Sequence, residues 1–84
     1  LEGVIKNADE KPLNYLSGDI FPVGKETEAK QFFTGSRGNF QVVGLKPGRY
    51  QLKFYQIGYK PVIIEIPDDA DSFFDRGDIF VHNE

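Results

Sequence analysis

The sequence predicts an all-β chain folded as a sandwich of about seven short strands, and three observations carry that reading. Apolar and polar residues alternate with a period of two, most plainly over residues 49–55, while a 3.6-residue period is hard to find. Turn-forming Gly, Pro and Asn recur at intervals of roughly eight to twelve residues, the spacing of short strands in a sandwich. Four Tyr and eight Phe stand with nine Gly and five Pro among 84 residues, whereas a disordered chain is poor in aromatics.

Each element follows in order. Leu1, Gly3 and Ile5 share one face of a first strand, and residues 7–12 supply a turn. Gly18 interrupts the β-formers of residues 13–23, which marks a bulge or a close backbone approach. Residues 24–30 form a polar connection, and "QFFTG" is a short strand running into a turn. Gly38 permits the reversal that sends Phe40 and Val42 back over the core. Pro47-Gly48 reads as a type II turn with positive φ at Gly48. Beyond it Tyr50, Leu52 and Phe54 point inward and Gln51, Lys53 and Tyr55 outward. After a turn over residues 56–61, Val62, Ile64 and Ile66 face the core and Ile63 faces out. An acidic loop containing Asp68, Asp69, Asp71, Asp75 and Asp78 follows, with at most one helical turn over residues 68–75. A last strand over residues 78–83 turns Ile79 and Val81 inward and Asp78 and Phe80 outward.

Composition narrows the function classes. The formal net charge is −3 with both signs interspersed, so no basic stripe follows a phosphate backbone and nucleic acid is a poor partner. Apolar runs such as the Val62-Ile63-Ile64 segment fall far short of the ~20 residues of a membrane-spanning helix; direct membrane insertion by this chain is not expected. With no cysteine there is neither a disulfide framework nor a thiolate metal site. The chain opens at Leu1 and contains no Met, and we expect residues 1–84 to be one sandwich domain of a larger protein.

"FFTGSRGNFQVVGLKPGRYQLKFYQIGY", residues 32–59, resembles the carboxypeptidase regulatory-like superfamily of transthyretin-like sandwiches. Thr34, Gly38, Phe40, Leu45, Pro47, Gly48, Tyr50, Gly58 and Tyr59 fall on that pattern, and Gly3, Ile5, Asn7 and Lys11-Pro12-Leu13 fit its opening. Two positions depart from it: Gly35 stands where an Asx side chain usually caps the turn, and Glu10 where a Gly is usual. More narrowly, "KPLNYLSGDI", the "QFFT…RGNF" hairpin and "IEIPDDADSFFDRGDI" resemble the C-terminal periplasmic domain of fimbrial (pilus) outer-membrane ushers. That resemblance implies a non-enzymatic module at the periplasmic face of the outer membrane. Its partners would be chaperone–pilin subunit complexes and the rest of the usher chain. Two alternatives stay open: a structural accessory domain of a secreted enzyme or surface protein, and carbohydrate binding through Tyr15, Tyr55 and Tyr59.

Catalysis has little to build on. His82 is the only histidine and reads as a solvated residue, so no His-based triad or multi-His metal site can form. The aspartates of the 68–78 stretch are a solubilising, edge-protecting cluster. As a calcium loop they lack the alternating acids, central Gly and closing Glu of an EF-hand, and whether that loop binds calcium stays open. "GSRGN" has no phosphate-loop pattern and reads as a hairpin turn. No catalytic residue, metal or cofactor is assigned. The candidate protein-binding residues are Tyr55, Ile63 and Phe80, apolar side chains that alternation leaves outward, and Phe73, where Phe73 or Phe74 protrudes from the acidic loop. Arg76-Gly77-Asp78, a known adhesion tripeptide, falls at the mouth of the last strand and reads as an accident of sequence.

Overall fold

The computed structural model describes residues 1–70 and 74–84. Seven strands form two sheets: β1 Glu2–Lys6, β2 Ser17–Pro22, β3 Lys30–Phe33, β4 Asn39–Gln41, β5 Gly48–Phe54, β6 Val62–Ile66 and β7 Asp75–Phe80. A three-stranded sheet runs β4-β1-β7 and a four-stranded sheet runs β3-β2-β5-β6. Every pairing is antiparallel except β1 with β7, which is parallel. The predicted β-sandwich is the observed architecture.

One core cluster fills the space between the sheets, and its members are the inward positions that alternation marks. Leu1, Ile5, Ile20, Phe32, Phe40, Val42, Tyr50, Leu52, Phe54, Ile64, Ile66, Ile79 and Val81 are all buried there. Phe32 sits at its centre, with ring centroids 5.5 Å from Phe40 and 5.8 Å from Phe54. Burial of each such side chain contributes about 1.5–3 kcal/mol on transfer scales. Tyr50 follows the Pro47-Gly48 turn, and its hydroxyl donates to the Lys46 carbonyl at 2.6 Å, so the polar tip of a buried ring is satisfied.

One buried polar side chain ties the irregular entry to β2. The Thr34 hydroxyl accepts from the Leu16 N–H at 2.7 Å and donates to the Leu13 carbonyl at 2.8 Å. The segment between β1 and β2 therefore hangs from the end of β3. Glu10, in the turn after β1, has φ of 63°; the turn holds a glycine-type conformation with a side chain in it. Gly35 takes part in the next reversal through its backbone, donating to the Asn39 carbonyl at 2.7 Å and accepting from Gly38 at 3.1 Å.

Three local expectations are corrected. The last strand begins at Asp75, not Asp78, because β1 offers a parallel edge and a bulge at Gly77 absorbs the misfit. Glu2 pairs with Asp75 and Val4 with Asp78, one residue out of step, and Gly77 has φ of 77°. The strand also ends at Phe80, beyond which Asn83 makes only an isolated bridge with Tyr59. Residues 68–69 form a turn closed by Ala70 N–H on the Pro67 carbonyl at 3.1 Å, and 71–73 of the stretch allowed one helical turn lie outside the described residues; a 3-10 turn stands at Glu26–Glu28 in the polar connection. Gly48 has positive φ, but at 146° it lies well away from the value of about 80° in a type II turn. It already belongs to β5, opposite Ile66.

Among the described residues no helix is long and apolar enough to cross a membrane.

Candidate protein-docking face

The outer face of the four-stranded sheet is set by the same registers that fill the core. Gly18, Ile20, Leu52 and Phe54 turn inward, so their neighbours Ser17, Asp19, Phe21, Gln51, Lys53 and Tyr55 turn outward. Ser17 lies opposite Phe33 on β3, and the Tyr55 N–H donates to the Ser17 carbonyl at 2.9 Å. Phe33 and Tyr55 thus flank a small residue across three strands, about 10 Å apart at two strand spacings. Phe33 is 61% exposed and Tyr55 52% exposed.

Tyr55 is not a loose ring. Its hydroxyl donates a short hydrogen bond to Asp19 Oδ1. That bond to a carboxylate holds the phenol above the ordinary tyrosine value of 10.0, with partial desolvation and the Asp19 charge adding to it. The ring borders a groove of about 380 Å³ whose other walls include Asp19, Phe21, Lys53, Glu26 and Ala29. Phe21 explains the groove. It points outward yet is only 2% exposed and stands outside the core cluster. The polar connection after β2 folds its 3-10 turn back against β2 and covers it.

Ile63 lies on this same face, 51% exposed and opposite Gln51. Gln51 is four residues before Tyr55, which follows the end of β5, about 13 Å of extended chain, so Ile63 and Tyr55 share a face without touching. Phe80, 41% exposed, stands on the outer face of the other sheet, opposite Lys6. It cannot join a surface with Ile63, because the two outer faces look away from each other. Phe73 lies outside the described residues. Its neighbour Phe74 packs against the core, and the Phe74 carbonyl accepts from the Glu2 N–H at 2.8 Å.

Phe33 is the residue that sequence reasoning missed. The signal was present: in Phe32-Phe33 on a strand one ring must face in and the other out. Tyr15, Val43 and Ile57 are exposed too, and fall in loops where no alternation applies. Of the three tyrosines that would form a sugar platform, Tyr59 is half-buried, its ring 5.8 Å from that of Phe54. No flat trio of rings is formed.

The described aspartates of the acidic stretch do not converge. Asp75 accepts from the Gly77 N–H at 2.8 Å, and Asp78 pairs with the Lys6 ammonium at 2.9 Å. Among the described residues no three His, Cys, Asp or Glu side chains come together as a metal site; Asp71 lies outside them. His82 is exposed, and its carbonyl accepts from the Lys60 N–H at 2.9 Å. Comparison with models of protein families and with curated proteins finds no match to the chain.

Proposed function

We propose that the chain is a non-enzymatic docking domain of a pilus-assembly usher. In that role it holds chaperone–subunit complexes on the periplasmic side of the outer membrane while subunits pass into the growing fibre. The observation that carries the reading is the outer face of the four-stranded sheet. There Phe33 closes β3 and a hydroxyl-anchored Tyr55 stands one residue past the end of β5, with Ile63 further along the same face. Aromatic rings held by neighbours lose little freedom on binding and are common anchors at interfaces. The face is otherwise polar, which suits a small interface of modest affinity, as handover between successive sites requires. The segments that resemble ushers supply the partner class.

A second reading has its own observation. Tyr55, Ile63 and Phe80 do not form one contiguous patch, and scattered exposed apolar residues need no partner. This favours a structural accessory domain beside a catalytic or stalk domain.

An antibody against the domain, used on fractions of the native organism, separates the two. A band many times larger in the outer-membrane fraction supports the usher reading; a soluble or secreted band refutes it. With the membrane band in hand, surface plasmon resonance of the domain against purified chaperone–subunit complexes is the functional test. Phe33→Ala and Tyr55→Ala are expected to weaken binding at least about tenfold, as truncated anchors do, and an unchanged affinity would remove this face from the reading.

A further inference from the structure

A groove of about 590 Å³ opens at the far end of β5 from Tyr55, where β2 leaves its sheet and β5 enters it. Lys25, Lys30, Lys46 and Arg49 line it with a single carboxylate, Glu28. Four of ten basic residues therefore meet one of thirteen acidic ones, +3 in formal charge. The remaining six basic and twelve acidic residues leave −6 elsewhere on a chain of net −3. Interspersed charge in the sequence becomes segregated charge in space.

Not all four cations are free. The Lys30 ammonium donates to the Val43 carbonyl at 2.9 Å, and Lys25 lies 3.9 Å from Glu28. Lys46 and Arg49 are exposed and have no side-chain hydrogen bond or ion pair among the described residues. Glu65 stands opposite Arg49 on β6 but makes no ion pair with it. The rim is fixed before anything binds: Tyr50 holds the Lys46 carbonyl and Lys30 holds that of Val43. A preformed rim spares the cost of ordering loops on association.

Val23, Leu45 and Pro47 lie between the cations. Separated charges over apolar ground match a chain that brings carboxylates and apolar side chains together. Recognition of a compact phosphate calls for donors converging on one point, and single-stranded nucleic acid calls for exposed rings to stack on. The ring that lines this groove, Tyr50, is buried. We propose that the groove docks an acidic, apolar-bearing peptide segment of a partner protein. The proposal does not depend on the parent being an usher.

The test is a heteronuclear NMR titration of the ¹⁵N-labelled chain with a capped nonapeptide of alternating Glu and Leu, at low and at physiological salt. Shifts confined to residues 22–30 and 44–50 are expected, with affinity falling severalfold as salt shortens the screening length to about 8 Å. Lys46→Glu/Arg49→Glu is expected to lose at least tenfold, and Lys60→Ala, which removes an exposed cation outside the groove, nothing. If the double reversal loses the dispersed spectrum of the folded chain, Lys46→Ala/Arg49→Ala takes its place with a loss of at least threefold expected. Shifts elsewhere, or none, overturn the proposal. So does equal binding of a Glu/Ser peptide, which would reduce the groove to bare charge. A heparin oligosaccharide or anionic vesicles acting on the same residues at lower concentration would assign it to a different ligand and also overturn it.

Discussion

Gly18 sits in the middle of β2, and an added Cβ there would meet the Lys53 carbonyl oxygen at 2.5 Å and two atoms of the Phe32 ring at 2.9 Å. Ordinary contact begins at 3.4 Å, so in Gly18→Ala the β5 backbone must retreat by about 0.9 Å. It cannot do so alone, because β5 is paired on both sides, with β2 and with β6. Overpacking of this kind costs about 1–3 kcal/mol and sometimes more. Ala gains back about 0.5–1 kcal/mol by restricting the unfolded chain. We expect a net loss of about 1–2 kcal/mol, read in urea as a midpoint lower by about 1 M at the slope of a small domain. Phe32→Leu decides which obstacle dominates. The carbonyl is nearer and belongs to the backbone, so a smaller ring neighbour should not rescue Gly18→Ala, and the coupling in the double-mutant cycle should stay within about 0.5 kcal/mol. Gly24→Ala is the contrast: nothing lies within 4 Å of the added Cβ, but φ is 84°, so its cost of about 1 kcal/mol comes from backbone strain. A Gly18→Ala midpoint equal to or above that of the parent would refute the close approach of β2 and β5.

Three further outcomes follow from named contacts. Thr34→Val strands the Leu16 N–H and the Leu13 carbonyl in a buried place and should cost about 2–4 kcal/mol by urea unfolding; Thr34→Ser, which keeps the hydroxyl, should cost less. Glu10→Gly relieves a side chain held at φ 63° and should raise stability by about 0.5–1 kcal/mol, seen as a thermal midpoint a few degrees higher. Tyr55→Phe removes the bond to Asp19. Because that bond raises the folded tyrosine pKa above 10.0, its contribution is present below that pH and disappears as pH rises through the raised value. Parent and Tyr55→Phe stabilities should therefore differ at neutral pH and converge in alkali; a constant difference would mean that the ring packing, not the hydroxyl, matters.

The inward half of this protein was legible because packing leaves it little choice. Tyr50, Leu52 and Phe54 have to share a face, and the sandwich needs them on the inside. Gly18 was legible for the same reason, since a glycine among β-formers announces that something stands where its side chain would be. Phe21 was not, because its cover comes from the Glu26–Ala29 stretch, whose residues carry no apolar pattern of their own. The outward residues were legible one at a time and not as a surface. Alternation places Ile63 and Phe80 outside correctly, but only the pairing of strands into two sheets tells that they look in opposite directions. The basic groove is a case of the same kind: its four cations are spread over 25 residues of sequence and meet only when the ends of β2 and β5 are brought together.

The Arg76-Gly77-Asp78 tripeptide shows how a local motif is used up by a fold. Its glycine is the bulge residue that lets β7 pair in parallel with β1, and its N–H is held by Asp75. Its aspartate spans to Lys6 on the neighbouring strand, where an ion pair this exposed contributes about 1 kcal/mol or less. Arg76 alone remains exposed without an ion pair among the described residues. An adhesion motif presents its basic and acidic ends together from a mobile loop, whereas here the backbone is committed to a sheet and the acid to a lysine. Two of the three residues thus have tasks in the pairing of β1 with β7, Gly77 as the bulge and Asp78 as the partner of Lys6, and Arg76 is the one that the register leaves without a task.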